Sequence, residues 1–439
     1  MTGTGSPGVF RHYSIMKKLN IVLAATGISS FACDIYLDEI APRLRKKGHR
    51  VWLIKVNPDK RVLEKDDIPV YWQRPRLKTL WLLYVFCPYF FDRLISKLIA
   101  DAIQKIEEPI DIIDFEIPSL TYCYQRKGNE KIVVRGWFYP HHLWQRLKIM
   151  WEVAPKNLLK RLTFLIRQAW YYWGDEYGFK KADAIITLTS KLASKLGKRG
   201  FVSTWVPRGI KPYWIPLGVK TRRRIKKGPT SLVRLGCVAY DLENPRKGVR
   251  FLLEAVELLD KELETPSRWP KGLLEGGGAR KKLIARDSYR LELIGGYTSK
   301  LKREIENLGL SERITLLGKL NHKQVLKKLQ SWDIFVFPTL FEELSMAAIE
   351  AMTAGLALVG WKVEGLKATW GNAAILIPRR DTKKLARALA KLISSPKLRE
   401  RLGQKARTRA RKYFDWKMVA QRLEKVYLET ACQKITFSS

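Results

Sequence analysis

Two glutamates, Glu342 and Glu350, stand with seven residues between them in the most informative stretch of the chain, Phe337-Pro-Thr-Leu-Phe-Glu-Glu-Leu-Ser-Met-Ala-Ala-Ile-Glu-Ala-Met-Thr-Ala-Gly355. Ionised carboxylate oxygens accept several hydroxyl hydrogen bonds, so the pair suits a polyhydroxylated ligand such as a sugar. A strand-like run ends at Pro338. Ser345 is placed to cap a helix over Met346 to Ala354, and Gly355 to stop it. The free N–H groups at such a helix start make an anion site when they face a cleft. Glu350 then lies one turn inside the helix and Glu342 on the loop ahead of it, one on either side of a phosphate held there. The spacing alone also fits a plainer arrangement, with Glu342 and Glu343 solvating a loop and Glu350 pairing with a basic neighbour.

The elements that must carry these groups follow from apolar periodicity. Leu19–Ala24 reads as a strand, Thr26-Gly27 as a turn, and Asp34–Lys47 as an amphipathic helix that Pro42 can kink. Gly48-His49 stops that helix, and Arg50–Val56 is the next strand. Strand, helix, stop, strand is a βαβ unit and implies a parallel sheet. Further strands are expected at Asp111–Asp114, Lys131–Val134 and Ala184–Leu188, the last after a long helical stretch, Leu143–Tyr177. Pro, Gly and basic residues dominate Pro207–Thr230, which marks the domain hinge. A second series is expected at Val233–Val238, Arg290–Ile294, Ile314–Leu317, Ile334–Phe337, Ala357–Val359 and Ala374–Ile377. Pro266–Asp287 reads as an exposed excursion, and Thr382–Thr430 as helical and basic. The predicted architecture is α/β: two doubly wound domains facing across a cleft, with ligands beyond the carboxyl ends of the strands.

A length of 439 residues suits two domains, and 46% hydrophobic residues excludes a disordered chain. Five scattered cysteines without CxxC spacing read as a reduced, cytosolic chain lacking a disulfide framework or a zinc site. The formal net charge of +40 implies attraction to anions, whether nucleic acid, anionic lipid or phosphorylated substrates, and equally fits a merely charged, solvated surface. No uncharged apolar run is long enough to cross a bilayer, and Met1–Ser14 lacks a secretory pattern.

The setting Phe-Pro-…-Glu342-Glu-Leu-Ser-…-Ile-Glu350-Ala-Met-…-Gly355 resembles the signature of the retaining glycosyltransferases of family 4, glycogen-synthase-like enzymes of the GT-B fold. Other segments resemble that family in the same order: Lys47-Gly-His-Arg-Val51, Lys181–Ser190, Ile215-Pro-Leu-Gly-Val219, Lys247-Gly248, Leu293-Ile-Gly-Gly296, Ile314-Thr-Leu-Leu-Gly318 and Phe414-Asp-Trp416. The resemblance implies a first Rossmann-like acceptor domain over 17–210 and a second, nucleotide-sugar-binding one over 211–412. A terminal helical segment, 413–439, would return to the first domain. It implies Lys247 against the donor diphosphate, with Arg246 beside it, and Glu342 on the sugar hydroxyls with the backbone of Leu344, Ser345 and Met346. Glu350 would take the ribose; Gly27, Gly295 and Gly318 would line the nucleotide; and His141, rather than His142, would stand near the donor sugar. The chain departs from the family at Cys237, where Gly-Arg is usual, at Glu343, where Gly is common, and at Glu364–Ala368, where Gly-Gly-x-x-Glu is usual. Its N-terminal glycine loop is reduced to Gly27.

The activity implied is transfer of a sugar from a nucleotide-sugar donor with retained configuration. No cofactor is expected, and no metal, since no Asp-x-Asp motif is present. The acceptor implied is lipid-linked, a glycan or another cell-envelope molecule. Thr79–Phe91 and Leu143–Trp173 interleave aromatic and basic residues, which suits either an anionic bilayer interface on the inner face of the cell membrane or helices packed within the first domain. Lys220–Lys227 and Arg399–Lys412 are basic runs that would strengthen such attachment or simply face water. A nucleic-acid-binding protein predicts an RNP-type or helix-turn-helix pattern, and none is found. A catalytically degenerate GT-B protein that only binds nucleotide sugars is the other alternative, motivated by Cys237 and Ala368.

Overall fold

The computed structural model describes residues 17–26, 31–56, 67–70, 88–136, 158–188, 211–220, 232–264 and 288–433, with isolated positions at 147, 151, 190, 193 and 194. In chain order the first domain is built from β1 (Asn20–Ala25), α1 (Phe31–Lys46), β2 (Arg50–Val56), β3 (Asp67–Val70), α2 (Pro88–Gln104), β4 (Ile112–Phe115), β5 (Lys131–Gly136), α3 (Leu158–Lys181), β6 (Ala184–Thr187) and β7 (Lys211–Trp214). The second contains β8 (Val233–Asp241), α4 (Val249–Glu264), β9 (Tyr289–Gly296), α5 (Ser299–Asn307), β10 (Ile314–Gly318), α6 (His322–Ser331), β11 (Ile334–Phe337), α7 (Met346–Ala354), β12 (Ala357–Trp361), α8 (Glu364–Trp370) and β13 (Ala374–Ile377). Three helices close the chain: α9 (Thr382–Ser394), α10 (Pro396–Tyr413) and α11 (Trp416–Ala431).

Both sheets are parallel. Their orders are β3-β2-β1-β4-β5-β6-β7 and β10-β9-β8-β11-β12-β13, so each winds outward in both directions from a switch point, β1/β4 in the first and β8/β11 in the second. Side-chain alternation divides the first sheet cleanly. Val22 and Ala24 enter the core covered by α2 and α3, whereas Ile21, Leu23 and Ala25 enter the one covered by α1 and α11. The second domain has one core, in which Trp332, Trp361 and Trp370 are the largest enclosed side chains.

Two strands escape the periodicity reading, β3 (Asp-Ile-Pro-Val) and β7 (Lys-Pro-Tyr-Trp). Each lies at an edge of the first sheet and each carries a proline. Proline lacks an N–H to donate, which confines it to edges and blunts them against further pairing. Because β7 pairs with β6, the first sheet runs past the boundary expected at residue 210. The chain then crosses between domains twice, side by side: Val219 N donates to Phe414 O at 2.7 Å, and Gly218 lies flat against the Trp416 ring.

Beyond that crossing α11 is part of the first domain's core. Trp416, Val419, Leu423 and Tyr427 pack with strand residues of the first sheet. Tyr427 donates its hydroxyl to Asp114, which also receives the Arg135 guanidinium, and that guanidinium lies 4.0 Å from the Tyr36 ring centre. All four side chains are buried. A carboxylate and a guanidinium can be enclosed at such depth because each satisfies the other.

The excursion at 266–287, Gly27, His141, His142, residues 79–87 and the basic residues 221–227 lie outside the described residues. Of the helical stretch expected at Leu143–Tyr177, the described part is α3 together with positions 147 and 151.

Candidate functional site

Lys247 follows β8 and Glu342 follows β11, the two strands at the second domain's switch point, so the folding of the sheet brings them together although 95 residues separate them. Lys247 Nζ donates to Glu342 Oε2 at 2.9 Å, with the side chains only 14% and 11% exposed. The ammonium also stands 5.4 Å from the Phe337 ring.

Local backbone chemistry holds each partner. Asn244 caps a single 3-10 turn, Pro245–Lys247, by accepting from Arg246 N, and Gly248 ends it at φ 67°. A Cβ at Gly248 would lie 2.0 Å from Pro338 O, so only glycine allows the Lys247 turn to sit against the end of β11. Arg246 contributes its carbonyl, which accepts from Leu340 N at 2.8 Å and from the Thr339 hydroxyl at 3.1 Å. On the other side Gly365, in the first turn of α8, backs onto the Glu342 carbonyl, where a Cβ would lie 1.9 Å away. The degraded glycine motif therefore keeps the one glycine that the loop's packing needs.

Ser345 caps α7, its hydroxyl accepting from Ala348 N at 3.3 Å, and Gly355 closes the helix at φ 71°. The first-turn N–H groups of Met346 and Ala347 have no acceptor within the helix and leave it at its positive end. Leu344 and Met346 touch the core clusters of both domains, which places this helix start between them. Glu350 is buried one turn further in. Its Oε1 lies 2.6 Å from Nε2 of His322, the first residue of α6. The basic neighbour expected for Glu350 is thus a histidine from another strand–helix unit. His322 carries no motif, and only the sheet order places it there.

Gly295 and Gly318 end β9 and β10. Gly295 packs against the Ala239 carbonyl; Gly318, at φ 68°, faces open space. Near the end of β8, the strand beside β9, Tyr240 is 81% exposed, with the Lys319 ammonium 4.6 Å from its ring. The second domain thus presents, along one edge, an aromatic ring, a glycine-lined gap, a buried carboxylate, a helix start and a cation–carboxylate pair. That array can hold a planar base, a diphosphate and a hydroxylated ring in sequence.

Cys237 lies within β8, 1% exposed, paired with Leu293, and the strand continues to Asp241. Burial pushes its thiol up to about 12, against the pull of Lys247. The Cys237 side chain is thus part of the core under the Lys247 turn. Gly236 is set by the Trp332 ring, which a Cβ would strike at 2.0 Å.

In the first domain Thr26 ends β1, and both its N–H and its hydroxyl donate to Glu116 beyond β4, at 2.8 and 3.1 Å, across that sheet's switch point. Arg135, just before the segment leading to His141, is anchored on Asp114. Among the described residues no group of three or more His, Cys, Asp or Glu side chains converges as ligands for a metal ion.

Residues 243–409 match the family Glycosyl transferases group 1, a span that holds β9 to β13 and the Lys247, Glu342 and Glu350 positions. The chain is 30% identical over 190 residues to an MMP alpha-(1->4)-mannosyltransferase of Mycolicibacterium hassiacum, covering 42% of this chain and 40% of that protein. It is 28% identical over 265 residues to an alpha-D-kanosaminyltransferase of Streptomyces kanamyceticus, covering 57% of this chain and 61% of the relative. The chain therefore spans less than two thirds of the length of each of these relatives. In three dimensions it resembles sucrose-phosphate synthase from Thermosynechococcus elongatus, with a TM-score of 0.64 at 16% identity over 93% of this chain and 98% of the other. That likeness establishes the GT-B fold.

Proposed function

We propose that this chain, whose second domain is of the Glycosyl transferases group 1 type, is a glycosyltransferase. In this reading it takes a sugar from a nucleoside diphosphate sugar and passes it, with retained anomeric configuration, to a glycan, lipid-linked or other cell-envelope acceptor. The observation that carries the reading is the pairing of Lys247 with Glu342 at the switch point of the sheet, beside the capped start of α7.

Each group has a task suited to its chemistry. Without ligand the Lys247 ammonium is compensated by Glu342. An arriving diphosphate takes over the ammonium, with the Met346 and Ala347 N–H groups as further donors and Arg246 beside them. Glu342, released, accepts from the hydroxyls of the transferred sugar, while Glu350, held by His322, accepts from the ribose. His141 and Gly27 are assigned to the first domain's wall of the donor site. As the bond to the diphosphate breaks, charge grows on the leaving oxygen. Donors already fixed in place stabilise it without reorganising, and no metal ion enters the scheme. Closure of the two domains keeps water from the sugar.

A thermal-shift screen with nucleoside diphosphates and their sugar conjugates tests this. One base series should stabilise the protein, by about 2.7 kcal/mol at a hundred times its dissociation constant. Glu350→Gln should weaken free diphosphate and conjugate alike, whereas Glu342→Gln should weaken the conjugate selectively. Indifference to every nucleotide would remove the proposal.

A further inference from the structure

The outward stripe of α3 is apolar where a helix on a water-facing surface carries charge. Leu158, Leu159, Leu162 and Ile166 are 69%, 69%, 47% and 51% exposed, at i, i+1, i+4 and i+8 along one face. The helix does not lack a buried side: Tyr172 and Phe179 enter the first domain's core, and Phe164 and Leu165 pack against that of the second. The exposed stripe is therefore surplus to folding. Phe90 and Leu94 on the neighbouring α2 extend it, at 61% and 43% exposure. The two helices join through Tyr89 and Trp170, ring centres 5.6 Å apart, at the rim of an aromatic hollow of about 370 Å³.

Two cations flank this face, each laid on an aromatic ring: Arg93 on Tyr89 at 5.8 Å and Arg161 on Trp151 at 3.5 Å, whereas the Lys181 ammonium, 4.8 Å from the Tyr177 ring, donates to the Thr121 and Tyr124 carbonyls. Aliphatic residues flanked by Trp, Tyr and basic groups match the layering of a bilayer interface, where acyl chains give way to anionic headgroups. Charge decides between the possible occupants. Two copies of a chain with net charge +40 repel each other, whereas an anionic bilayer attracts one. Among the described residues no helix is long and apolar enough to cross a membrane, so contact through this stripe would be interfacial.

We propose that the exposed face of α3, continued by Phe90 and Leu94, docks the protein on the surface of an anionic lipid bilayer, with the aliphatic stripe among the upper acyl chains. Docking of this kind asks nothing of the donor cleft and goes beyond the transferase reading.

Flotation with phosphatidylglycerol-containing and with purely phosphatidylcholine vesicles tests it, at about 0.1 M and about 1 M salt, where the Debye lengths are about 10 and 3 Å. The whole chain should float with the anionic vesicles and keep part of that binding at high salt. Leu162→Glu/Ile166→Glu should lower vesicle affinity at least about tenfold, a loss of about 1.4 kcal/mol. Nucleotide-induced thermal stabilisation should be unchanged in that variant, which also reports that it folds. Independently, Leu162→Cys bearing an environment-sensitive fluorophore should shift to the blue on anionic vesicles and be quenched by brominated acyl chains. Undiminished binding by the double variant, complete loss at high salt, or an unshifted fluorophore would each overturn insertion. A concentration-dependent dimer abolished by the double variant, without vesicle binding, would assign the face to a second copy and overturn it as well.

Discussion

Lys247→Met and Glu342→Gln, made singly and together, probe the centre of the site through the one contact that joins its two halves. An exposed ion pair contributes about 0–1 kcal/mol, and removing one partner of a fully buried pair costs about 3–5 kcal/mol. At 14% and 11% exposure the pair lies nearer the buried limit. Each single variant should therefore lose about 2 kcal/mol, or about 4–8 °C in Tm for a domain of this size. The double variant should lose less than the sum, with a coupling of about 2 kcal/mol, because removing both partners leaves no uncompensated charge. Transfer or donor hydrolysis should behave in parallel. Each single change should cost about 10²–10³ in kcat/KM, the magnitude for losing one preorganised donor, and the double variant should be little worse than the poorer single one. Chemical denaturation and initial-rate assays read both cycles. Additive stability losses would refute the pairing, and undiminished turnover in Glu342→Gln would refute its role at the sugar.

His322→Ala should weaken nucleoside diphosphate binding about tenfold, the loss of a hydrogen bond to a charged group, and leave kcat near wild type; titration calorimetry with unchanged affinity would show that Glu350 needs no partner. Gly365→Ala forces a Cβ to within 1.9 Å of the Glu342 carbonyl, so the loop must move, and a displacement of about 1 Å should cost about 10²-fold in kcat; wild-type kcat would mean the loop does not position the sugar ligand. Asp92, on α2, has its carboxyl pushed up to about 7 by burial first, against the Ser119 hydrogen bond, with Asp175 adding to the rise. The folded protein then favours the protonated form, so this contribution is full below the ordinary value of 3.8, declines as pH rises and is lost above about 7. Across that interval it amounts to at most about 4 kcal/mol, from about 1.4 per pKa unit. Asp92→Asn should flatten the fall in Tm between pH 5 and pH 8, and an identical slope in variant and wild type would show that the carboxyl is not held neutral.

Much of this arrangement was legible in the order of residues. Apolar runs mark β1, β2, β11 and β13 nearly to the residue, because strands enclosed in a parallel sheet are rich in apolar side chains. The edge strands β3 and β7 were not legible. Four residues containing a proline show no alternation, and their pairing depends on an edge supplied by another part of the chain. The burial of Gly236-Cys237 was not legible for a related reason: the dipeptide is visible, but the length of β8, which buries it, is set by pairing with β9.

What the sequence by itself determined is therefore local. The serine cap and glycine stop of α7, the asparagine-capped turn before Lys247 and the alternation of the first sheet depend on neighbours within a few residues, where propensity and hydrogen bonding act directly. What only the tertiary structure decided is which groups meet. Lys247 reaches Glu342, His322 reaches Glu350, and Tyr427 reaches Asp114 across 95, 28 and 313 residues. These distances close because parallel sheets order their strands by crossover connections rather than by sequence. The same packing leaves the Leu158–Ile166 stripe facing outward: periodicity marks a helix face as apolar, and only the assembled cores show that the face remains uncovered.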